Sequence, residues 1–146
     1  MKVIVGCDHA GFEYKKSLCK YLRDNGINFS DFGTNNCDSV DYPDYAHAVA
    51  KEVQKNSINK GVLICGSANG VAMAANKHKG IRAAICWNNK IAELATTHNR
   101  ANVLCIHFLL PRSTNFSDKQ LQHYKIEAIA LYEACLLYTS PSPRDS

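Results

Sequence analysis

Cys65 ends a short apolar run, Val62-Leu63-Ile64-Cys65, and Gly66-Ser67-Ala68-Asn69-Gly70 follows it before an Ala-rich stretch resumes at Val71. A run that is apolar at every position reads as a strand buried on both faces of a parallel sheet. The small-residue loop then reads as a turn into a helix. Such a junction leaves backbone N–H groups unpaired, and together with the helix dipole they favour an anion or a developing oxyanion. A thiol at the mouth of that pocket is expected to ionise more easily than a free one, which makes Cys65 a candidate base or nucleophile. The competing reading is an inert strand thiol, since free cysteine is often buried.

A thiolate base beside an oxyanion pocket suits removal of a proton next to a carbonyl, with the pocket holding the enediolate. Interconverting an aldose and a ketose needs that, plus a second group to move a proton on the sugar oxygens or to open the ring. His98 is the candidate, although it also continues the apolar stripe of its helix. Asp8 and His9 form either a turn or a pair of ligands for hydroxyl and phosphate groups. Ligands of parallel α/β sheets collect beyond the carboxyl ends of the strands. Asp8-His9 after the first strand, Cys65-Gly66-Ser67 after the third and His98-Asn99 before the fifth are expected to converge there. Two other uses of the loop fit less well. A cysteine phosphatase needs an arginine six residues after the nucleophile, where this chain has Val71, and the first strand–helix turn, Gly6-Cys7-Asp8-His9-Ala10-Gly11, lacks the dinucleotide fingerprint.

The elements that must hold these residues alternate. Lys2 to Cys7 is a β-branched run, and Tyr14, Leu18, Tyr21 and Leu22 repeat at helical spacing until Asn25-Gly26. Ile27 to Phe32 is a weaker strand, 33–43 a polar loop, and Asp44 is placed to cap a helix carrying Ala46, Val49, Ala50 and Val53. After Val62–Cys65 comes a helix ending near Lys79-Gly80, then a strand over Ile81–Cys86. Ile91, Leu94, Ala95 and His98 mark the next helix, and Asn102–Ile106 a fifth strand. This rhythm predicts a parallel sheet with helices on both faces. A last helix is expected from Ser117-Asp118 onward. Residues 1–135 read as one α/β domain, and 136–146 as a Ser/Pro tail that does not pack.

Composition narrows the class of function. The 146 residues carry a formal charge of +4 that is spread along the chain, not gathered into a nucleic-acid-binding stripe. The apolar runs fall short of the ~20 residues that cross a bilayer, and the N-terminus opens straight into a strand. The seven cysteines include no C-x-x-C pair and the six histidines no H-x-x-x-H pair. We expect free thiols in a reducing, cytoplasmic setting, with no metal.

Several motifs occur together and in order: Gly6-Cys7-Asp8-His9-Ala10-Gly11, Asp41-Tyr42-Pro43, Cys65-Gly66-Ser67-Ala68-Asn69-Gly70, Ala74-Ala75-Asn76-Lys77, Gly80-Ile81-Arg82-Ala83 and His98-Asn99. Over about residues 1–106 the chain closely resembles the ribose-5-phosphate isomerase B family, which also holds galactose-6-phosphate isomerase subunits. The resemblance implies a Rossmann-like three-layer α/β/α sandwich around a five-stranded parallel sheet. It implies cofactor-free interconversion of ribose 5-phosphate and ribulose 5-phosphate, the alternatives being a hexose 6-phosphate substrate or a non-catalytic sugar-phosphate binding domain. It also implies a homodimer or homotetramer whose active sites are shared between subunits, with no nucleic-acid or membrane partner.

On the matching positions, the resemblance makes Cys65 the base that moves the proton between C1 and C2. Ser67 and the amides of Gly66, Ala68, Asn69 and Gly70 hold the enediolate oxygen, and His98 assists ring opening. Asp8, His9 and Asn99 bind substrate, and Tyr42 lines the pocket. Three departures stand out. Ala68 replaces a common glycine and is expected to fit at negative φ. Arg100 replaces the acid that commonly follows His-Asn. The C-terminal Gly-Arg-His stretch and paired arginines are missing, leaving Arg112 near the expected place of a phosphate-binding arginine.

Overall fold

The computed structural model describes residues 1–35, 38 and 40–107. The expected last helix, Arg112 and the 136–146 tail lie outside the described residues. Within them, β1 (Val3–Cys7) leads through a single 3-10 turn (His9–Gly11) into α1 (Phe12–Asp24), and β2 (Phe29–Asp31) into α2 (Tyr42–Gln54). Then come β3 (Lys60–Cys65), α3 (Asn69–Ala75), β4 (Ala83–Cys86), α4 (Asn89–Asn99) and β5 (Val103–His107). The five strands form one sheet in the order β2-β1-β3-β5-β4, and every pairing is parallel. This is the α/β architecture expected from the alternation.

Strand alternation splits the core in two. Val3, Val5, Val62, Ile64, Leu104 and Ile106 pack with Leu18 and Leu22 of α1 and Ala92 and Ala95 of α4. Ile4, Leu63, Cys65, Val103 and Cys105 face the other way, against α2 and α3. Apart from Lys60 at the start of β3 and His107 at the end of β5, the central strands are apolar because both of their faces are covered. The chain passes from β1 outward to β2, then back across β1 to β3. The strand order therefore reverses between β1 and β3, and this is where a crevice opens in such folds.

β4 starts at Ala83 rather than Ile81 and β5 runs on to His107, and three larger differences from the sequence-based expectation are in α2, α3 and β2. α2 begins at Tyr42 with Asp41 as its N-cap residue, and Asp44 lies inside the first turn. Pro43 sets that start, because a ring that fixes φ and lacks an N–H fits the first helical turn. α3 stops at Ala75, not near Lys79-Gly80. There Asn76 turns out of the helix: its Oδ1 accepts the Ala83 N–H at 2.8 Å and its Nδ2 donates to the Ala83 carbonyl at 2.9 Å. β2 is only three residues long. Its end is anchored by Lys15, buried within α1, whose ammonium meets the Asp31 carboxylate at 3.0 Å and the Thr34 carbonyl. Among the described residues no helix is long and apolar enough to cross a membrane.

Candidate active site

Asp8 follows β1 and Cys65 ends β3, so the two sit side by side where the strand order reverses. The Cys65 thiol donates to Asp8 Oδ2 at 2.9 Å, and both residues are buried. Asp8 is held from the other oxygen. Its Oδ1 accepts the N–H groups of Ala10 and Gly11, at 3.0 and 3.3 Å, and so caps the 3-10 turn. Gly11 allows that turn to lie against β3, since a Cβ there would come 2.5 Å from the Ile64 carbonyl oxygen. Gly11→Ala is therefore expected to cost about 2 kcal/mol or more, because the clash is with backbone that cannot rotate away. Urea unfolding measures this directly.

The loop after Cys65 is tight. Of the loop amides, those of Gly66 and Ala68 favour the ionised form of Cys65. Ser67 is exposed, and its Oγ accepts the Asn69 N–H at 3.3 Å at the start of α3. Ala68 has φ +64°, in the left-handed region, not the negative φ expected for it. A non-glycine residue there carries strain of order 1–3 kcal/mol, and its fully buried methyl group offsets part of that.

The rim is formed by Tyr42 and His9. The Tyr42 ring covers Gly70 so closely that a Cβ there would meet it at 2.5 Å. His9 Nδ1 accepts the Val40 N–H at 3.2 Å. That bond fixes the tautomer and leaves Nε2 as the nitrogen that carries the proton.

The ionisation of Cys65 runs opposite to the sequence-based expectation. The thiol is pushed up to about 12 from an ordinary value of 9.0, first by burial, then by the hydrogen bond to Asp8 and by its charge. The Gly66 and Ala68 amides act in the opposite direction but are outweighed. With only seven residues, α3 has little dipole to add. In the resting protein Cys65 is a thiol.

Burial raises other thiols too: Cys7 to about 12, Cys19 to about 11, and Cys105 higher still. Folded values above the unfolded one mean that the unfolded chain loses protons first as pH rises. Stability is therefore expected to hold below pH 9 and to fall between pH 9 and pH 12. Urea midpoints across that range check it, and substituting Cys19 should flatten the early part of the fall.

His98 and Asn99 are not at this end of the sheet. They close α4, and α4 runs antiparallel to the strands, so its last turn lies at their amino ends. Asn102 shows this directly, since its carbonyl accepts the N–H of Gly61 near the start of β3. From Gly61 to Cys65 the sheet is four residues deep, about 13 Å. A residue just before a parallel strand cannot share the strand's carboxyl edge, which corrects the expected convergence.

The 98–100 segment is nevertheless built firmly. Arg82 Nε donates to the Asn99 carbonyl, and the Asn102 side chain binds both the Arg82 N–H and the Gly80 carbonyl. Arg100 turns the chain at φ +53°. Asn76, Arg82, Asn99 and Ala101 line a cleft of about 250 Å³ at this edge. Among the described residues no three of His, Cys, Asp or Glu are grouped to hold a metal ion.

One residue beside Cys65 went unnoticed in the sequence. His107 is in register with Cys65 across the β3–β5 pairing. The strand expected from the sequence stops at Ile106, one residue short of it.

Residues 3–127 match the model of the Ribose/Galactose Isomerase family. Ribose-5-phosphate isomerase B of Escherichia coli (strain K12) is 42% identical over 103 residues, covering 70% of this chain and 69% of that protein. Ribose-5-P isomerase B of Listeria innocua is 41% identical over 110 residues, covering 75% and 74%. Among solved structures, ribose-5-phosphate isomerase B of Clostridium thermocellum superposes with a TM-score of 0.84 at 33% identity, over 99% of this chain and 89% of the other. The Mycoplasma genitalium enzyme, solved with bound ribulose-5-phosphate, gives 0.83 at 36% identity over 98% and 88%. By sequence and by fold, the chain belongs to the ribose/galactose isomerase family.

Proposed function

We propose that the chain is an aldose–ketose isomerase interconverting ribose 5-phosphate and ribulose 5-phosphate, with Cys65 carrying one proton between C2 and C1 through an enediolate. The observation that carries this reading is the hydrogen bond of Cys65 Sγ to the Asp8 carboxylate at the carboxyl end of β3, where the Gly66–Gly70 loop begins. Family membership supports the reaction class. The C. thermocellum and M. genitalium folds that superpose here are both ribose 5-phosphate isomerases.

Each group has a part. Asp8 orients the thiol and, as a negative charge beside it, helps keep the sulfur protonated in the resting protein. The amides of 66–70 and Ser67 receive the enediolate oxygen, where preorganised donors gain strength in a dry site. His9 offers Nε2–H to substrate hydroxyls, and Tyr42 covers the pocket above Gly70. Isomerisation at C1 and C2 of a sugar whose phosphate is on C5 requires a separate anchor for the phosphate. Arg112 is assigned to that anchor.

His98 and Asn99 reach the site from a second copy of the chain, because within one chain the depth of the sheet separates them from Cys65. A homodimer is the smallest assembly that does this, and a homotetramer repeats it. Met73 on α3 and Tyr42 at the start of α2 are both exposed, which gives the surface an apolar character suited to a partner. Cys7, Cys19, Cys65, Cys86 and Cys105 are thiols rather than disulfides, which suits a cytoplasmic enzyme.

The test is turnover. Ribose 5-phosphate is expected to be converted with a kcat/KM at least about tenfold above that for galactose 6-phosphate, the scale of one misplaced contact in a pocket. The reverse preference moves the substrate class to hexose phosphates. Thermal stabilisation by both sugars without turnover of either makes the chain a binding domain and overturns the proposal.

A further inference from the structure

The crevice holds an imidazole that the scheme above does not use. β3 and β5 run parallel with Cys65 and His107 as register partners, on strands about 4.8 Å apart. Alternation along β5 settles which face His107 takes. Leu104 and Ile106 enter the core with α1 and α4, whereas Val103 and Cys105 enter the core that holds Cys65. Position 107 follows Cys105 by two and therefore shares the face of Cys65. α3 crosses this face on its way from β3 to β4.

His107 Nδ1 is buried there and has no hydrogen-bond partner among the described residues. Native structures rarely leave such an atom unpaired, and an exception calls for something that completes it. Among the described residues the titratable groups at strand positions or strand ends of this face are Asp8, Cys65 and Cys105, and α2, packed across it, carries Tyr42, Asp44, Tyr45, His47, Lys51 and Glu52. Asp8 and Cys65 are committed to each other, and Cys105 is a protonated thiol deep in the core. His9 has its own partner in Val40.

Isomerisation moves two kinds of proton, one on carbon and one on oxygen. Cys65 accounts for the first. We propose that His107 accounts for the second, as the acid–base group that serves the sugar O1 and O2 beside Cys65. This rests on the isomerase reading of the site and deepens it.

The steps balance. In the substrate complex the Cys65 thiol turns from Asp8 to His107, its S–H bond breaks and the proton forms a bond to Nδ1, leaving a thiolate and an imidazolium with no change in total charge. The thiolate takes the C2 proton while the imidazolium gives its proton to O1, so the C2–H electrons form the C1–C2 double bond of the enediol. The neutral imidazole then takes the O2 proton as the thiol returns its proton to C1. Ketose, thiolate and imidazolium remain, ready for the next turnover. The scheme also supplies a thiolate from a sulfur that rests as a thiol.

The test uses His107→Gln and His107→Phe in the intact chain. Both are expected to keep the wild-type melting temperature or exceed it, since His107 Nδ1 gives up no hydrogen bond to the described residues. Both should lose about 100-fold in kcat, the usual scale for an acid–base group, with KM changed less than about threefold. The acidic limb of the kcat/KM profile against pH should disappear in both. A kcat within about threefold of wild type overturns the proposal, as does a loss that tracks a lowered melting temperature with an unchanged pH profile. Cys65→Ala separates the two levels. Turnover retained in that variant defeats the isomerase chemistry itself, whereas an inactive Cys65→Ala beside fully active His107 variants defeats only the role of His107.

Discussion

Replacing Cys65 by alanine is expected to lower isomerase turnover by about 10³-fold or more while the protein stays folded, because the carbon-bound proton then has no carrier. The strand tolerates the change: alanine keeps the backbone of β3, and the site sits at the strand's end, not in the middle of the packed layer. Asp8 retains its two amide partners through Oδ1 and loses only the thiol. The melting temperature should therefore move by only a few degrees, and removing a buried thiol should shift the onset of alkaline unfolding upward. Cys65→Ser is the sharper comparison. A hydroxyl can still donate to Asp8, yet it ionises far less readily than a thiol, so the serine variant should be nearly as inactive as the alanine one. Progress curves for ribulose 5-phosphate formation, set beside melting curves, decide the matter. Turnover near wild type in either variant removes Cys65 from the reaction.

Mixing two inactive variants is expected to restore activity. Cys65→Ala disables the crevice end of the sheet and His98→Gln the opposite end, and a site shared between copies needs one of each. Pure Cys65→Ala and pure His98→Gln should each be deficient. Equal amounts refolded together form mixed dimers in half of the pairs, and each mixed pair carries one intact site, so about a quarter of wild-type activity is expected. Activity that stays at the level of the separate variants after subunit exchange places the whole reaction within one chain. The prediction follows from one geometric fact, the roughly 13 Å of strand between the Gly61 and Cys65 edges.

Much of this architecture was legible from local pattern. All-apolar runs at Val3–Val5, Val62–Cys65 and Val103–Ile106 became the three central strands, since a strand covered on both faces has no polar side to show. Asn25-Gly26 closed α1 as expected, with Gly26 at φ +66°. The Cys65 loop also became the short strand-to-helix junction expected of it, because only small residues can turn so tightly between a strand and a helix. The failures share a cause. Asp44 as a cap, the extent of α3 and the φ of Ala68 were each decided by contacts that local pattern does not carry. Pro43 moved the helix start to Tyr42, Asn76 reached Ala83, and burial of the Ala68 methyl held the left-handed turn.

The identity of the candidate reacting groups was thus set by residue type and order alone: a cysteine before a small-residue loop, an Asp-His pair after the first strand, a His-Asn pair before the fifth. Their protonation and their partners were settled only by tertiary structure. A pKa depends on desolvation and on charges brought from elsewhere in the chain, and Asp8 lies 57 residues from Cys65 in sequence. Which edge of the sheet a residue occupies depends on the direction in which each helix returns, and so His98 moved away from the sulfur while His107 arrived beside it.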